Sequence, residues 1–298
     1  MNSIRRLLQA VGLVVLAVGA LLAVLAIHGY GLANGQEDRP LLALRVRPDP
    51  ALRERGRHLA ELSCAGCHGT NDALPLAGGA TNFLHEPGSP ALGTLAAPNL
   101  TRGGVLDRYG DAELGRAIRE GLDAQRRPML VMPSNDFRAL SDRDLAALIA
   151  YLRSQPAVAH ATPPRRLSLA AYLLLGMQAI ETSLQRPVEQ PVAAVPEGPT
   201  PAYGEYLTSV LGCADCHGSD FRGGRNPLAP RGPDLRPALL SRTPARFAHA
   251  LREGLGSGDR RLDPAQMPWT VYRRLNDTEV AAIHQYLRRQ TGALGPGR

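Results

Sequence analysis

The sequence predicts an all-α fold in which one N-terminal transmembrane helix precedes two tandem copies of a small helical domain. Three observations carry this prediction. A long apolar run opens the chain, several short motifs recur 135 residues apart, and the segments between them have helical rather than strand periodicity. At 298 residues the chain is long enough for two domains of ordinary size.

The composition limits the classes of function. The formal net charge is +7, and all of the 34 basic residues are arginine. They are scattered among acidic residues rather than gathered in one block, which argues against nucleic-acid binding. Aromatic residues make up only 4% of the chain, so a bound cofactor is expected to supply part of the apolar volume of each core.

The N-terminal segment predicts the compartment. Arg5 and Arg6 precede an uninterrupted apolar run from Ala10 to Ile27, which is long enough to cross a bilayer. We expect residues 1–30 to form a single-pass anchor in the cytoplasmic membrane, with the following domains on the periplasmic or extracytoplasmic side. A cleaved signal peptide is the alternative, but its apolar region is usually shorter, and only a poor cleavage pattern follows near Ala33.

All four cysteines lie in two copies of the pattern Cys-x-x-Cys-His. The copies comprise Cys64, Cys67, His68, Cys213, Cys216 and His217. On a helical turn, two thiols three residues apart share one face and can both form thioethers with a haem, while the following His points at the iron. A disulfide framework, zinc or thiol exchange would explain the cysteines alone, but the repeated His favours two covalently bound haem c groups.

The duplication extends beyond the haem motifs. Segments that recur 135 residues later are Met132-Pro133 as Met267-Pro268, Leu140-Ser141-Asp142 as Leu275-Asn276-Asp277, and Tyr151-Leu152-Arg153 as Tyr286-Leu287-Arg288. The pattern predicts one domain at 50–156 and a second at 201–292, separated by a linker at 157–200 that contains a short apolar helix.

The last helix of each predicted domain has a clear start. Ser141 caps the first with Asp144 three residues on, and Asn276 caps the second with Glu279. Apolar residues then follow with helical spacing. Because no segment shows sustained period-two alternation, we expect no extensive sheet.

Each iron needs a second axial ligand, and thioether sulfur suits an electron carrier because it raises the reduction potential. Met132 and Met267 fit, since each follows its haem motif and immediately precedes a Pro. Met129 is a rival for the first iron. The remaining candidates for iron ligation are His58, His85, His160, His249 and His284, which we expect to lie on helix faces or in loops.

Within the linker, an apolar stretch from Leu167 to Ile180 is too short to span a membrane. It predicts either a helix packed between the two domains or a segment lying on the membrane surface. We favour packing between the domains because no dense basic face accompanies the stretch.

The haem motifs, the Asn99-Leu100-Thr101 turn, Arg119-Glu120-Gly121 and Met132-Pro133 together resemble class I cytochrome c domains in tandem. They are similar in particular to the anchored cytochrome subunits of bacterial alcohol and gluconate dehydrogenases. The resemblance implies that the Pro98 and Pro233 carbonyls accept hydrogen bonds from the axial His residues. Those subunits usually carry three haems and an anchor at the other end, whereas this chain has two haem motifs.

We expect a single-electron carrier that catalyses no bond chemistry of its own, because the repeated His/Met sets leave no open position for substrate. Its redox partners would be a dehydrogenase, a quinol-oxidising complex or a terminal oxidase, and the anchored dihaem subunit of haem-copper oxidases also resembles this architecture. A peroxidase-like haem enzyme with one open iron, or an accessory component of a larger complex, remains an alternative.

Overall fold

The structure is a computed structural model that describes residues 2–41, 44–47, 49–85, 92–224, 231–241, 243–290 and 292. It confirms the predicted all-α architecture. Residues 225–230, within the predicted second domain, lie outside the described residues.

The chain begins with one long apolar helix, α1 (Asn2–Asn34). Its 33 residues extend about 50 Å, and its most apolar stretch of 18 residues has a mean hydropathy of 2.9. By length and composition it is, among the described residues, the one helix able to cross a membrane; a signal sequence shares these properties.

The first helical domain is built on two long packed helices, α2 (Pro50–Ser63) and α6 (Asp142–Ser154). Asp49 caps α2, and the Ser141 hydroxyl accepts a hydrogen bond from the Asp144 amide at 3.1 Å, which confirms the predicted start of α6. The shorter elements are α3 (Ala65–His68), a 3₁₀ turn (Leu106–Arg108), α4 (Asp111–Glu120) and α5 (Ser134–Phe137).

The second domain repeats this arrangement with α8 (Pro201–Val210) packed on α13 (Asp277–Gln290). Asn276 and Glu279 form the predicted capping box, with each side chain bonded to the other residue's backbone amide at 2.9–3.0 Å. The other elements are α9 (Cys213–His217), α10 (Arg236–Ser241), α11 (Pro244–Arg252), a 3₁₀ turn (Ser257–Asp259) and α12 (Trp269–Tyr272).

A glycine allows the long helices of each domain to cross closely. A Cβ atom on Gly56 of α2 would lie 1.9 Å from the Ala147 carbonyl oxygen of α6. A Cβ atom on Gly204 of α8 would likewise lie 2.0 Å from the Ala282 carbonyl oxygen of α13. Backbone therefore packs on backbone at both crossings, and these matched glycines belong to the duplicated unit.

The two domains share one buried core. Side chains from both enter it, including Leu148 and Ile149 of α6 and Leu207 and Ile283 of the second domain. Burial of apolar surface across the boundary holds the domains in one fixed relation.

The linker contains α7 (Leu169–Gly176), and the structure corrects the interpretation that favoured packing between the two domains. This helix lies against α1 instead. Just before it, β2 (Arg166–Leu167) pairs in antiparallel fashion with β1 (Gly93–Thr94), a strand in a loop of the first domain. Leu175 and Ala33 form a small apolar cluster separate from the main core.

Candidate haem sites

The first Cys-x-x-Cys-His motif lies where α2 ends. Cys64 caps the C-terminus of α2, and the single turn of α3 brings the His68 amide within 2.9 Å of the Cys64 carbonyl oxygen. His68 is buried, and its Nδ1 donates to the Pro98 carbonyl oxygen at 2.9 Å. With Nδ1 protonated, the lone pair of the neutral ring lies on Nε2, and burial lowers the pKa of His68 and so favours this neutral form.

The second motif has the same construction. His217 Nδ1 donates to the Pro233 carbonyl oxygen at 3.0 Å, and burial lowers the pKa of this imidazole too. A Cβ atom on Gly232, next to the proline, would lie 2.7 Å from His217 Nδ1. Only a glycine leaves room for the ring in this cradle.

The two candidate methionines occupy equivalent turns. The Ser134 amide donates to the Met132 carbonyl oxygen at 2.8 Å, and the Trp269 amide donates to the Met267 carbonyl oxygen at 2.7 Å. Each Met thus lies two residues before the start of a short helix, α5 or α12. Both Met side chains are half-buried and pack against the shared core.

Met129, the rival ligand, has a different environment. Its amide donates to the Gly121 carbonyl oxygen, and its carbonyl oxygen accepts from the Ser183 amide, both at 2.7 Å. This residue therefore joins the linker to the first domain.

The thiols do not have the properties of a redox or zinc site. Burial raises the pKa of Cys64 to about 11 and that of Cys213 to about 12, so both thiols are protonated at neutral pH and are poor nucleophiles. In the part of the chain that the structure describes, no three His, Cys, Asp or Glu side chains converge as a metal site. Two thiols, an oriented imidazole and a thioether fit a covalently attached haem.

The family comparison agrees with this donor set. The family model described as Cytochrome c matches residues 53–156 and again residues 202–291. The chain belongs to the cytochrome c family. As a c-type cytochrome it transfers electrons, and its domains imply covalently bound haem c.

Three curated relatives are similar to this cytochrome. A nicotinate dehydrogenase subunit of Pseudomonas putida is 33% identical over 175 residues, covering 56% of this chain and 14% of that protein. The cytochrome c subunit of the quinone alcohol dehydrogenase of Gluconobacter oxydans is 30% identical, covering 57% and 35%. The fructose dehydrogenase cytochrome subunit of Gluconobacter japonicus is 29% identical, covering 36% and 24%. The chain thus spans well under half the length of each relative.

The other histidines of the cytochrome have different surroundings. His58 Nε2 lies 2.9 and 3.0 Å from the two carboxylate oxygens of Glu279, across the domain boundary. His249 pairs with Glu253 on the exposed side of α11, and His284 packs against the Phe247 ring. His85 and His160 lie outside the helices.

The structure also shows residues near the sites that the sequence did not single out. The Asp136 carboxyl group, four residues after Met132, is hydrogen-bonded to Asp215 inside the second haem motif. Asp72, four residues after His68, accepts a 2.8 Å hydrogen bond from the Thr270 hydroxyl, which lies three residues after Met267. Because these contacts join different copies of the repeat, spacing within one copy contains no signal for them.

Proposed function

We propose that this cytochrome carries two haem c groups, one on each Cys-x-x-Cys-His motif, and passes single electrons from one domain to the other. His68 and Met132 would hold one iron, and His217 and Met267 the other. When bound, each haem supplies a ferric/ferrous couple. The observation that carries the proposal is a reciprocal contact: each haem motif lies against the segment that follows the candidate axial Met of the opposite domain.

The first half of this contact involves the loop after His68. Asp72 accepts from the Thr270 hydroxyl at 2.8 Å through its carboxylate and from the Arg274 guanidinium at 2.5 Å through its carbonyl oxygen. A Cβ atom on Gly66, between Cys64 and Cys67, would lie 3.4 Å from the Val271 side chain. The first motif and α12 are therefore in direct packing contact.

The second half of the contact involves α5 and the second motif. Asp136 is hydrogen-bonded to Asp215, and a Cβ atom on Gly212 would lie 2.9 Å from an Asp136 carboxyl oxygen. Each haem motif therefore contacts the opposite domain directly, which supports electron transfer within one chain.

A buried polar network holds the two domains in this relation. Arg55 of α2 forms a bidentate pair with Asp144 of α6 at 3.0 and 2.8 Å, and the Tyr206 hydroxyl of α8 donates to Asp144 at 2.6 Å. Arg55 also reaches the Tyr203 hydroxyl at 3.2 Å. Buried charges that are fully paired disfavour separation of the domains, because separation would leave them exposed or unpaired.

We further propose that α1 is retained as a membrane anchor with the haem domains outside the cytoplasm. Arg165 donates to the Ala33 carbonyl oxygen at 2.7 Å, and the Glu37 amide donates to the Arg126 carbonyl oxygen at 2.9 Å. Cleavage after Ala33, near which the poor cleavage pattern lies, would remove the contact with Arg165. Arg5, before the run, favours a cytoplasmic N-terminus.

The electron donor that we propose is a membrane dehydrogenase that oxidises a small organic substrate, and the acceptor is a downstream component of a respiratory chain. The dehydrogenase names of the three relatives support this class of donor. The cytochrome itself would catalyse no bond chemistry, because each proposed iron has a protein ligand on both sides.

Carbon monoxide binding tests the proposed ligand sets. We expect the dithionite-reduced, fully haem-loaded protein to bind no carbon monoxide, since His/Met ligation leaves no free position on either iron. Met132→Ala and Met267→Ala should each bind one equivalent per protein, measured by visible absorption.

Met129→Ala is the matched control and should behave as wild type. Stoichiometric binding of carbon monoxide by one haem of the wild-type protein would contradict the proposed role as an electron carrier and indicate a haem enzyme. Carbon monoxide binding by Met129→Ala but not by Met132→Ala would mean that Met129, and not Met132, ligates the first iron.

A further inference from the structure

We propose that the α7 hairpin, defined as residues 169–180, inserts into the outer leaflet of the lipid bilayer beside α1, so that the first domain rests on the membrane. The occupant of its outward surface is phospholipid acyl chain. The inference rests on the proposed retention of α1 but not on the electron-transfer role.

Helix α7 is packed on α1 at backbone distance. A Cβ atom on Gly29 would lie 1.8 Å from the Tyr172 carbonyl oxygen, and one on Gly176 would lie 2.0 Å from the Leu25 carbonyl oxygen. The order of these contacts shows that the two helices are antiparallel. Small residues at such a crossing are typical of helix pairs inside membranes.

The antiparallel direction fixes how deep the hairpin reaches. Its start, at Ser168, lies near the end of α1, and its tip after Gly176 lies beside Leu25, about 13 Å along α1 from Asn34. Leu25 belongs to the apolar run of α1 that is expected to cross the bilayer. If α1 spans the membrane, the tip lies below the headgroups.

Two tyrosines indicate the level of the membrane surface. The rings of Tyr30 and Tyr172 are in contact, with centroids 5.4 Å apart, between the end of α1 and the tip of the hairpin. Tyrosine is enriched where hydrocarbon meets headgroup. Above this level Arg165 holds the end of α1, and Arg166 is exposed on β2. Arginine at this height can meet lipid phosphates.

The outward surface of the hairpin is apolar except for the exposed Gln178 at its tip. Leu169 is 65% exposed and Met177 is 51% exposed, and Leu173 and Leu174 are partly exposed. The sequence from Leu169 to Ile180 contains no charged residue, and Glu181 is the first to follow it. This surface continues directly into that of α1, whose lipid-facing side chains are equally exposed, and a surface of this kind is costly to leave in water.

Three backbone amides of the turn at the tip have partners within the hairpin. The amides of Met177, Gln178 and Ala179 donate to the carbonyl oxygens of Leu173, Leu175 and Leu174 at 2.9–3.0 Å. Backbone at membrane depth must have such partners because no water is available there. The hairpin can therefore enter the hydrocarbon without exposing these amides.

Thiol accessibility in nanodiscs tests the proposal. In the haem-loaded full chain the four native cysteines are consumed as thioethers, so one introduced cysteine is the sole target of a charged, membrane-impermeant maleimide. We expect Met177→Cys to react at least about tenfold more slowly than Ala194→Cys in the exposed linker, because apolar surroundings suppress the reactive thiolate. Leu22→Cys, within the expected span of α1, should be protected to a similar degree.

The measurement uses discs that hold one chain each, and intact mass verifies that α1 and two haems are present. Reaction of Met177→Cys as fast as Ala194→Cys would overturn the proposal. Protection that occurs only in discs holding two chains would assign the surface to a second copy and would also overturn it. Loss of α1, or labelling of the wild-type chain, would instead contradict the proposed anchor or the proposed haem attachment.

Discussion

The two copies of the repeat differ most in the loop between the axial His and its Pro. The hydrogen-bonded pair is 30 residues apart in the first domain, between His68 and Pro98, and 16 apart in the second, between His217 and Pro233. The longer loop contains β1, which pairs with β2 of the linker. The first domain is therefore joined to the linker and, through α7, to α1, whereas the second domain has no such tie among the described residues.

The residue after each of these prolines reflects the difference. Asn99 is buried, and its side-chain amide nitrogen donates to the carbonyl oxygens of Val158 and His160 at 2.8 and 3.1 Å. Asp234, at the equivalent position, pairs with Arg236 near the surface. An amide suits the first domain because it can donate to the linker, and a carboxylate suits the second because it faces a cation.

A second pair of positions shows what covers each domain. A Cβ atom on Gly121 would lie 2.1 Å from the Ser183 carbonyl oxygen of the linker, whereas one on the equivalent Gly254 would lie 2.5 Å from the Trp269 ring. Linker backbone packs on the first glycine and an aromatic side chain on the second. The duplicated core thus kept its sites while its cover changed, from the linker in one copy to a single Trp in the other.

The largest effect is expected from exchanging the residues after the two prolines. Asn99→Asp removes both donors to the linker and buries a carboxylate beside two carbonyl oxygens, so we expect a loss of about 3 kcal/mol in the free energy of unfolding of the first domain. Guanidinium unfolding, with hydrogen exchange read separately for each domain, measures it.

Asp234→Asn is the matched control and should leave the unfolding midpoint unchanged, because its ion pair with Arg236 lies in solvent. Equal destabilisation by both exchanges would mean that the two turns are equivalent, and the comparison between the domains would fail.

A smaller effect is expected from removing the Trp269 side chain, which packs on Gly254 of the second domain. Trp269 donates its ring N–H to the Leu262 carbonyl oxygen at 3.1 Å, and the Arg261 guanidinium lies 4.6 Å from the ring centroid. Because the side chain is only half-buried, we expect Trp269→Ala to cost about 2 kcal/mol, with faster hydrogen exchange around Gly254.

Ser134→Ala changes the residue of the first domain that is equivalent to Trp269. The Ser134 hydroxyl is buried without a hydrogen-bond partner in the described structure, so this variant should be as stable as wild type or slightly more stable. A larger loss from Ser134→Ala than from Trp269→Ala would contradict the view that Trp269 replaces the linker.

The sequence predicted what lies within one copy of the repeat and missed what lies between copies. The caps at Ser141 and Asn276 are local hydrogen bonds with a fixed spacing, so the sequence alone located them. The position of α7 could not be predicted in this way, since a helix that is apolar on every side has no face to indicate its partner. The contact between Asp136 and Asp215 depends on how the two domains dock, a relation that neither motif encodes.

The smallest effect concerns this carboxyl pair, where the domains meet. Burial and the neighbouring Asp215 raise the pKa of Asp136 from its usual 3.8 to about 8. Because the folded pKa is the higher one, the stability that the bound proton contributes is full below about pH 4 and is lost as the pH rises through 8. Asp136→Asn removes this loss, so its melting temperature should exceed that of wild type by about 2–4 °C at pH 9 and match it at pH 4.

Scanning calorimetry of the reduced, haem-loaded protein at the two pH values measures this difference. The expected gain is small because Asp136 borders an open depression beside Arg138 and Thr208, where solvent reduces the repulsion between the two carboxylates. Asp107→Asn, on the exposed 3₁₀ turn of the first domain, removes one carboxyl group outside this contact and is the matched control. An equal gain from both variants would reflect net charge alone, whereas a gain confined to Asp136→Asn and to high pH would assign the shared proton to the contact between the domains.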